Sequence, residues 1–306
     1  MPRLWFTVAV RSQRLPAAYP AVRLCEWRPC PGPPTTRGLC CVGASSAAGS
    51  RGEVARTDTR VHGSRLSARV VEMTDRIVAE TITITGDAGD EIEAYFARPV
   101  DGDAQPGVVV IHHMPGYDRA TKEIVRTFAV YGYAAVMPNL FHRYAPGAKP
   151  GDAAAAARDA GGVPDEQCLG DVQGAIDFLR QRPESNGKVG VIGYCSGGRQ
   201  TFLVACTLDI DAAVDCYGGR ANIELAPGLR CPLLGLFGAD DQSPSPDDVA
   251  AMAKALEANG KTFDFHSYEG AGHAFFSVDR SAYRLDAAND GWKQIWSFFG
   301  THLKGA

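Results

Sequence analysis

The amino-acid sequence predicts an α/β fold: a mostly parallel central sheet, helices on both of its faces, and an antiparallel hairpin ahead of it. Three observations carry that reading. From residue 107 to residue 268, short apolar runs of strand length alternate with amphipathic stretches of helical period. Most of those runs are apolar at successive residues rather than at every second one, as in strands buried on two faces. Ahead of them, two segments alternate polar and apolar residues across a Gly/Asp turn, as hairpin strands with one wet face do.

In chain order, "ETITITG" and "EIEAYFARPV" flank the turn "GDAGD" and form the hairpin. The apolar runs follow: "GVVVIHHM", "AAVMPNL", "VGVIGYC", "DAAVDCY", "PLLGLFG" and "TFDFHSY". Between them, "TKEIVRTFAVYG", "DVQGAIDFLRQR" and "DVAAMAKALEANG" have apolar residues at helical spacing. The alternation of β and α segments implies parallel strands covered by helices on two sides. The last helix, around "AANDGWKQIWSFFGTHL", presents a Trp and Phe stripe that reads as core packing rather than a cofactor box. The segment "DAAAAARDAGG" is biased but short, and no internal repeat is present.

Charge divides the chain in two. Residues 1–72 carry 11 Arg, no Lys and 4 acidic residues, a net of +7, whereas the rest carries −11. The arginines are scattered singly among Pro, Ser, Gly and Ala, which argues against a nucleic-acid arm. Arg-rich, acid-poor composition does resemble an organellar transit peptide. "MTDRIVAETITI" at Met73 reads as the natural start of a domain over residues 73–306, and residues 1–72 as a disordered leader or an overlong start. No apolar run approaches the ~20 residues that cross a bilayer, so the sequence reads as soluble, with neither membrane nor nucleic acid as partner. Five of the nine cysteines fall after Met73, an odd number in apolar context, which predicts reduced thiols and a cytoplasmic location. Cys25, Cys30, Cys40 and Cys41 lack the paired spacing of a zinc site.

The stretch "VGVIGYCSGG" followed by "RQTFLVAC" reads as strand, sharp turn and helix, with Cys195 at the turn. Gly193-Tyr194-Cys195-Ser196-Gly197 has the spacing of the α/β-hydrolase nucleophile elbow, with Cys in place of Ser. Glycines fit there because the nucleophile sits in a strained backbone conformation and its neighbours approach strand and helix without a Cβ. The following helix points its amides and positive end at the sulfur, which favours thiolate. Such a nucleophile needs a base and an orienting acid, in the chain order nucleophile, acid, base. "LLGLFGADDQSPSP" offers Asp240 and Asp241 beyond a strand, and "YEGAGHAFF" offers His273 in a Gly-bounded loop. Backbone N–H groups of Ser196 and of Met114, in "IHHMPG", stand where an oxyanion would be held.

The motifs "GYCSGG", "NGKVG", "GYAAVMPNLFHRYAPG", "FGADD" and "AGHAF", in this order over nearly all of residues 73–306, resemble the dienelactone hydrolase family of the α/β-hydrolases. The resemblance implies Cys195 as nucleophile, His273 as base and Asp241 as acid, acting on a small-molecule ester or lactone through an acyl-enzyme, with no metal or cofactor. Two positions depart from the family pattern. His113 stands where archetypal members carry a glutamate that pairs with the resting thiol, and a histidine there would hold Cys195 as a thiolate–imidazolium pair. Of two arginines that hold a substrate carboxylate, Arg158 matches the first, while the second position is Ser277, with Arg280 nearby.

Three other readings compete. His112, His113, His142 and His273 suggest a metal site, but neighbours on an extended strand point to opposite faces, so the adjacent pair cannot chelate one ion. A ligand-binding member of the fold without activity would leave the triad unexplained. So would a redox-sensing thiol, for which Cys195 also lacks a resolving partner in sequence. The sequence is compatible with a monomer or a small homo-oligomer.

Overall fold

The computed structural model describes residues 76–102 and 104–304, so the expected leader over residues 1–72 lies outside the described residues. Strands β1 (Ile77–Thr85) and β2 (Glu91–Pro99) form the antiparallel hairpin, with Ile77 opposite Pro99 and Thr85 opposite Glu91. Then come β3 (Gln105–Ile111), β4 (Ala134–Pro138), β5 (Ser185–Tyr194), β6 (Ala212–Cys216), β7 (Leu233–Gly238) and β8 (Phe263–Tyr268). They make one eight-stranded sheet in the order β1-β2-β4-β3-β5-β6-β7-β8. The pairings β1–β2 and β2–β4 are antiparallel, so β2 alone runs against the rest, and every pairing from β4 to β8 along the sheet is parallel.

The helices are α1 (Arg119–Val130), α2 (Pro150–Asp159), α3 (Asp165–Arg180), α4 (Ser196–Thr207), α5 (Pro246–Ala258) and α6 (Leu285–Leu303). Side chains of a strand alternate between faces, and here both faces are buried. On β3, Val109 and Ile111 pack into the core shared with α2, α3, α4 and α5, whereas Val108 and Val110 pack with α1 and α6. All four are completely shielded from solvent. Burying each such side chain contributes about 1.5–3 kcal/mol, and this explains why these strands read as unbroken apolar runs. The α6 stripe is core, as its sequence implied: Ile295, Phe299 and Leu303 are fully buried, and Trp296 stacks on Tyr131 at 4.0 Å and on Trp292 at 5.0 Å.

One run differs from the others. β8 pairs only with β7 and is half-exposed, because it is the last strand of the sheet and turns Asp264 and His266, 3.1 Å apart, to the surface.

A buried ion pair joins the hairpin turn to the body. Asp171 of α3 is fully buried; its Oδ2 accepts from Arg143 Nη1 at 2.9 Å, and its Oδ1 accepts from Arg143 Nη2 at 3.0 Å and from the Asp87 backbone N–H at 2.9 Å. The same guanidinium donates through Nε to Asp90 at 2.7 Å. Arg143, in the loop that follows β4, therefore ties the tip of the hairpin to α3.

Strand order reverses between β3 and β5. The chain leaves β3 into α1 on one face and leaves β5 into α4 on the other. The ends of these two strands thus diverge and open the crevice where such sheets bind ligands.

Candidate active site

Cys195 occupies that crevice, between the end of β5 and the first turn of α4, with φ 59 and ψ −117. This is a positive-φ conformation that costs a non-glycine residue of order 1–3 kcal/mol and persists only where neighbours enforce it. They do so here. The Cys195 N–H donates to the Cys216 carbonyl at 3.0 Å, and its carbonyl accepts from the Gly198 N–H at 3.0 Å. A Cβ at Gly193 would come within 2.0 Å of the Gly197 carbonyl oxygen, and one at Gly197 within 2.3 Å of the Ile111 carbonyl oxygen. The glycines of the elbow are therefore spatial requirements.

The sulfur faces the His273 imidazole and the backbone N–H groups of Ser196 and Met114. Burial would push the thiol up, but the hydrogen bond and charge of His273, aided by the two amides, outweigh it and hold the thiol below its ordinary value. The reciprocal effect appears on the base. The hydrogen bond with Cys195, opposed by burial and supported by Asp241, raises His273 to about 9. Both shifts favour a thiolate–imidazolium pair.

Of the two candidate acids, the structure brings Asp241 to the imidazole, its Oδ2 lying 2.8 Å from His273 Nδ1. Asp241 is 2% exposed, and its Oδ1 accepts the Ser243 N–H at 2.8 Å. With Nδ1–H donated to Asp241, Nε2 is the ring nitrogen left for sulfur. Tyr217 walls the imidazole edge-on at 5.2 Å between ring centres.

His113 is engaged elsewhere. Its Nε2 lies 3.1 Å from Asp118 Oδ2 and 3.4 Å from Arg280 Nη2. Asp118 caps α1 and accepts the Thr121 N–H at 2.8 Å; burial opposes its ionisation, but hydrogen bonds from His113 and Thr121 hold it well below the usual carboxylate range. The partner of the sulfur is thus His273, while the imidazole of His113 is turned to a helix cap. Sequence reasoning missed Asp118, although an Asp just before a helical stretch is a capping signal. Arg158 is exposed near the end of α2, and its side chain makes no hydrogen bond or ion pair among the described residues. Ser277 follows His273 by four residues, and Arg280 reaches His113.

The histidines do not converge. His112 is 1% exposed, with Nε2 accepting the Leu140 N–H at 3.3 Å and Nδ1 3.0 Å from the His113 carbonyl, and burial lowers it to about 4. His142 Nδ1 lies 3.4 Å from the Glu93 N–H. Among the described residues no group of three or more His, Cys, Asp or Glu could hold a metal ion, and no helix is long and apolar enough to cross a membrane.

A profile of the dienelactone hydrolase family matches residues 92–303. The chain is 32% identical over 227 residues to a Methylorubrum extorquens protein bearing the provisional name carboxymethylenebutenolidase, covering 68% of this chain and 76% of that one. It is 32% identical over 219 residues to the carboxymethylenebutenolidase of Pseudomonas putida, covering 69% of this chain and 92% of that enzyme. Among solved structures, a Klebsiella pneumoniae protein provisionally named a dienelactone hydrolase superposes with a TM-score of 0.68 at 29% identity, covering 74% of this chain and 100% of that one.

Proposed function

Because the chain belongs to the dienelactone hydrolase family, we propose that it is a cofactor-independent hydrolase of an ester or lactone, working through Cys195, His273 and Asp241. The observation that carries this reading is the imidazole of His273, set between the sulfur and a buried carboxylate 2.8 Å away. The thiolate attacks the substrate carbonyl carbon, and the oxyanion that forms is held by the Ser196 and Met114 N–H groups. As the tetrahedral species collapses, His273 passes its Nε2 proton to the leaving alkoxide, giving an alcohol and a thioester on Cys195. Water then loses a proton to His273 and attacks the thioester; the carboxylic acid leaves and the thiolate–imidazolium pair returns. Asp241 keeps the imidazole in the required tautomer throughout.

Rapid mixing with a chromogenic aryl ester tests the proposal. Wild-type protein gives a burst of product equal to the enzyme concentration, and Cys195→Ala gives none. Equal slow release from both proteins would instead favour a fold member that only binds ligand.

A second expectation concerns pH. Alkylation by iodoacetamide follows the thiolate, so its midpoint falls below the free-thiol value of about 8.5, and reactivity is lost as pH falls through that midpoint. The midpoint rises in His273→Asn and holds in His113→Asn, because His273 is the imidazole facing the sulfur. A rise in His113→Asn of similar size would make His113 the partner of the thiol after all.

A further inference from the structure

The two backbone donors that face the sulfur are held in different ways. Ser196 opens α4, so its N–H is aimed by a helix whose first amides are free. Met114 lies in the irregular segment between β3 and α1, where neither a strand ladder nor a helix sets the direction of an N–H. That direction belongs to the peptide joining His113 to Met114, since a trans peptide is planar and its C=O and N–H point to opposite sides. Whatever fixes the His113 carbonyl therefore fixes the Met114 N–H.

The His113 carbonyl is held by His112. The Nδ1 of His112 lies 3.0 Å from that oxygen, and its Nε2 accepts the Leu140 N–H at 3.3 Å. A ring nitrogen that accepts carries no proton, so the neutral ring bears its hydrogen on Nδ1 and donates it to the carbonyl. The ring is 1% exposed and stands edge-on to Phe141 at 4.8 Å between ring centres; burial lowers it to about 4 and so keeps it neutral. The loop closes directly over this bond, for a Cβ at Gly116, where φ is 55, would fall on His112 Nδ1 and on the His113 carbonyl oxygen. On the elbow side, a Cβ at Gly197 would come 2.9 Å from the His112 carbonyl oxygen, so the clamp abuts the turn that carries Cys195. His112 takes no part in the triad, and both of its ring nitrogens are engaged by backbone groups.

We infer that His112 is a positioning residue for the oxyanion hole: its Nδ1–H, donated to the His113 carbonyl, sets the plane of the peptide whose N–H, at Met114, meets the oxyanion. The same bond strengthens that N–H as a donor, because a hydrogen bond accepted by a peptide carbonyl polarises the whole amide. This inference rests on the proposed hydrolase reading and deepens it, by naming the side chain that aims one of the two oxyanion donors.

Two replacements separate the two bonds of the ring. In His112→Asn the amide NH₂ stands near the place of Nδ1 and keeps a donor for the His113 carbonyl, while the Leu140 N–H loses its acceptor. In His112→Gln the amide oxygen reaches the place of Nε2 and keeps that acceptor, while the carbonyl loses its donor. Each costs the fold one hydrogen bond, but only His112→Gln frees the peptide. The probes are phenyl acetate and phenyl thionoacetate, in which C=S replaces C=O; sulfur is a weak acceptor, so the thionoester draws little from the Met114 N–H. His112→Gln lowers kcat/KM for the ester about tenfold, the upper worth of one neutral hydrogen bond, and leaves the thionoester near wild type. The ester-to-thionoester ratio falls accordingly, whereas His112→Asn keeps it within about twofold of wild type. Without substrate, the iodoacetamide midpoint of Cys195 rises in His112→Gln and holds in His112→Asn, because the Met114 N–H also faces the resting sulfur. Cys195-dependent turnover with a ratio that falls equally in both variants, or in neither, overturns the role of His112 and leaves the hydrolase reading intact. A midpoint rise confined to His112→Gln, with no turnover of either probe by wild type, keeps the clamp on the Met114 N–H and overturns the hydrolase reading.

Discussion

Asp241→Asn lowers kcat/KM roughly a thousandfold to ten-thousandfold while the protein stays folded. The carboxylate is 2% exposed and accepts the imidazole Nδ1–H at 2.8 Å, so Nε2 is free to exchange its proton with sulfur. An asparagine of the same shape still accepts the Ser243 N–H through its oxygen and turns its NH₂ toward Nδ1. The imidazole must then carry its proton on Nε2 when neutral, which is the wrong tautomer for taking a proton from the thiol or from water. The anion that stabilises the imidazolium is lost as well. Both effects pull His273 down from about 9 and let the thiol rise, so the alkylation midpoint moves upward in the same variant. Steady-state kinetics and a pH series of alkylation rates measure the two consequences together. A loss below tenfold with the midpoint unmoved would place the chemistry outside this triad.

Arg143→Ala destabilises the fold by about 3–5 kcal/mol, the range for removing one partner of a buried ion pair. Asp171 is wholly buried, and without Arg143 it keeps only the Asp87 N–H. A carboxylate stranded in this way must be hydrated or protonated, and each alternative costs stability. Arg143→Met with Asp171→Leu recovers a large part of the loss, because it removes the charge along with its partner. Urea denaturation at neutral pH measures both variants. Loss of less than about 1 kcal/mol in Arg143→Ala would mean that water reaches Asp171 and the pair contributes little.

The parallel strands were legible because both their faces are buried, which leaves runs such as "GVVVI" unbroken. The edge position of β8 was harder to see, since "TFDFHSY" has enough aromatic residues to imitate a buried strand while its polar positions face water. At the site, chain order located Cys195 and His273, because the elbow and the Gly-bounded loop each follow a recognisable strand. The choice between Asp240 and Asp241 is a matter of turn geometry. Asp240 gives its backbone N–H to Ala271, and the next residue delivers its carboxylate to the ring. The partner of His113 could not be read locally. It depends on how residues 114–117 fold the chain back so that the cap of α1 meets the histidine, with Arg280 arriving from 167 residues away.

The burial of the remaining described cysteines has an analytical consequence. Burial raises Cys168, Cys206 and Cys231 to about 12, and Cys216 well above its usual value, while Cys195 alone among the five moves down. To a mild electrophile at neutral pH the described part of the molecule is a one-thiol reagent. Peptide-resolved mass added at Cys195 therefore counts intact elbows in a preparation, and it does so without a known substrate.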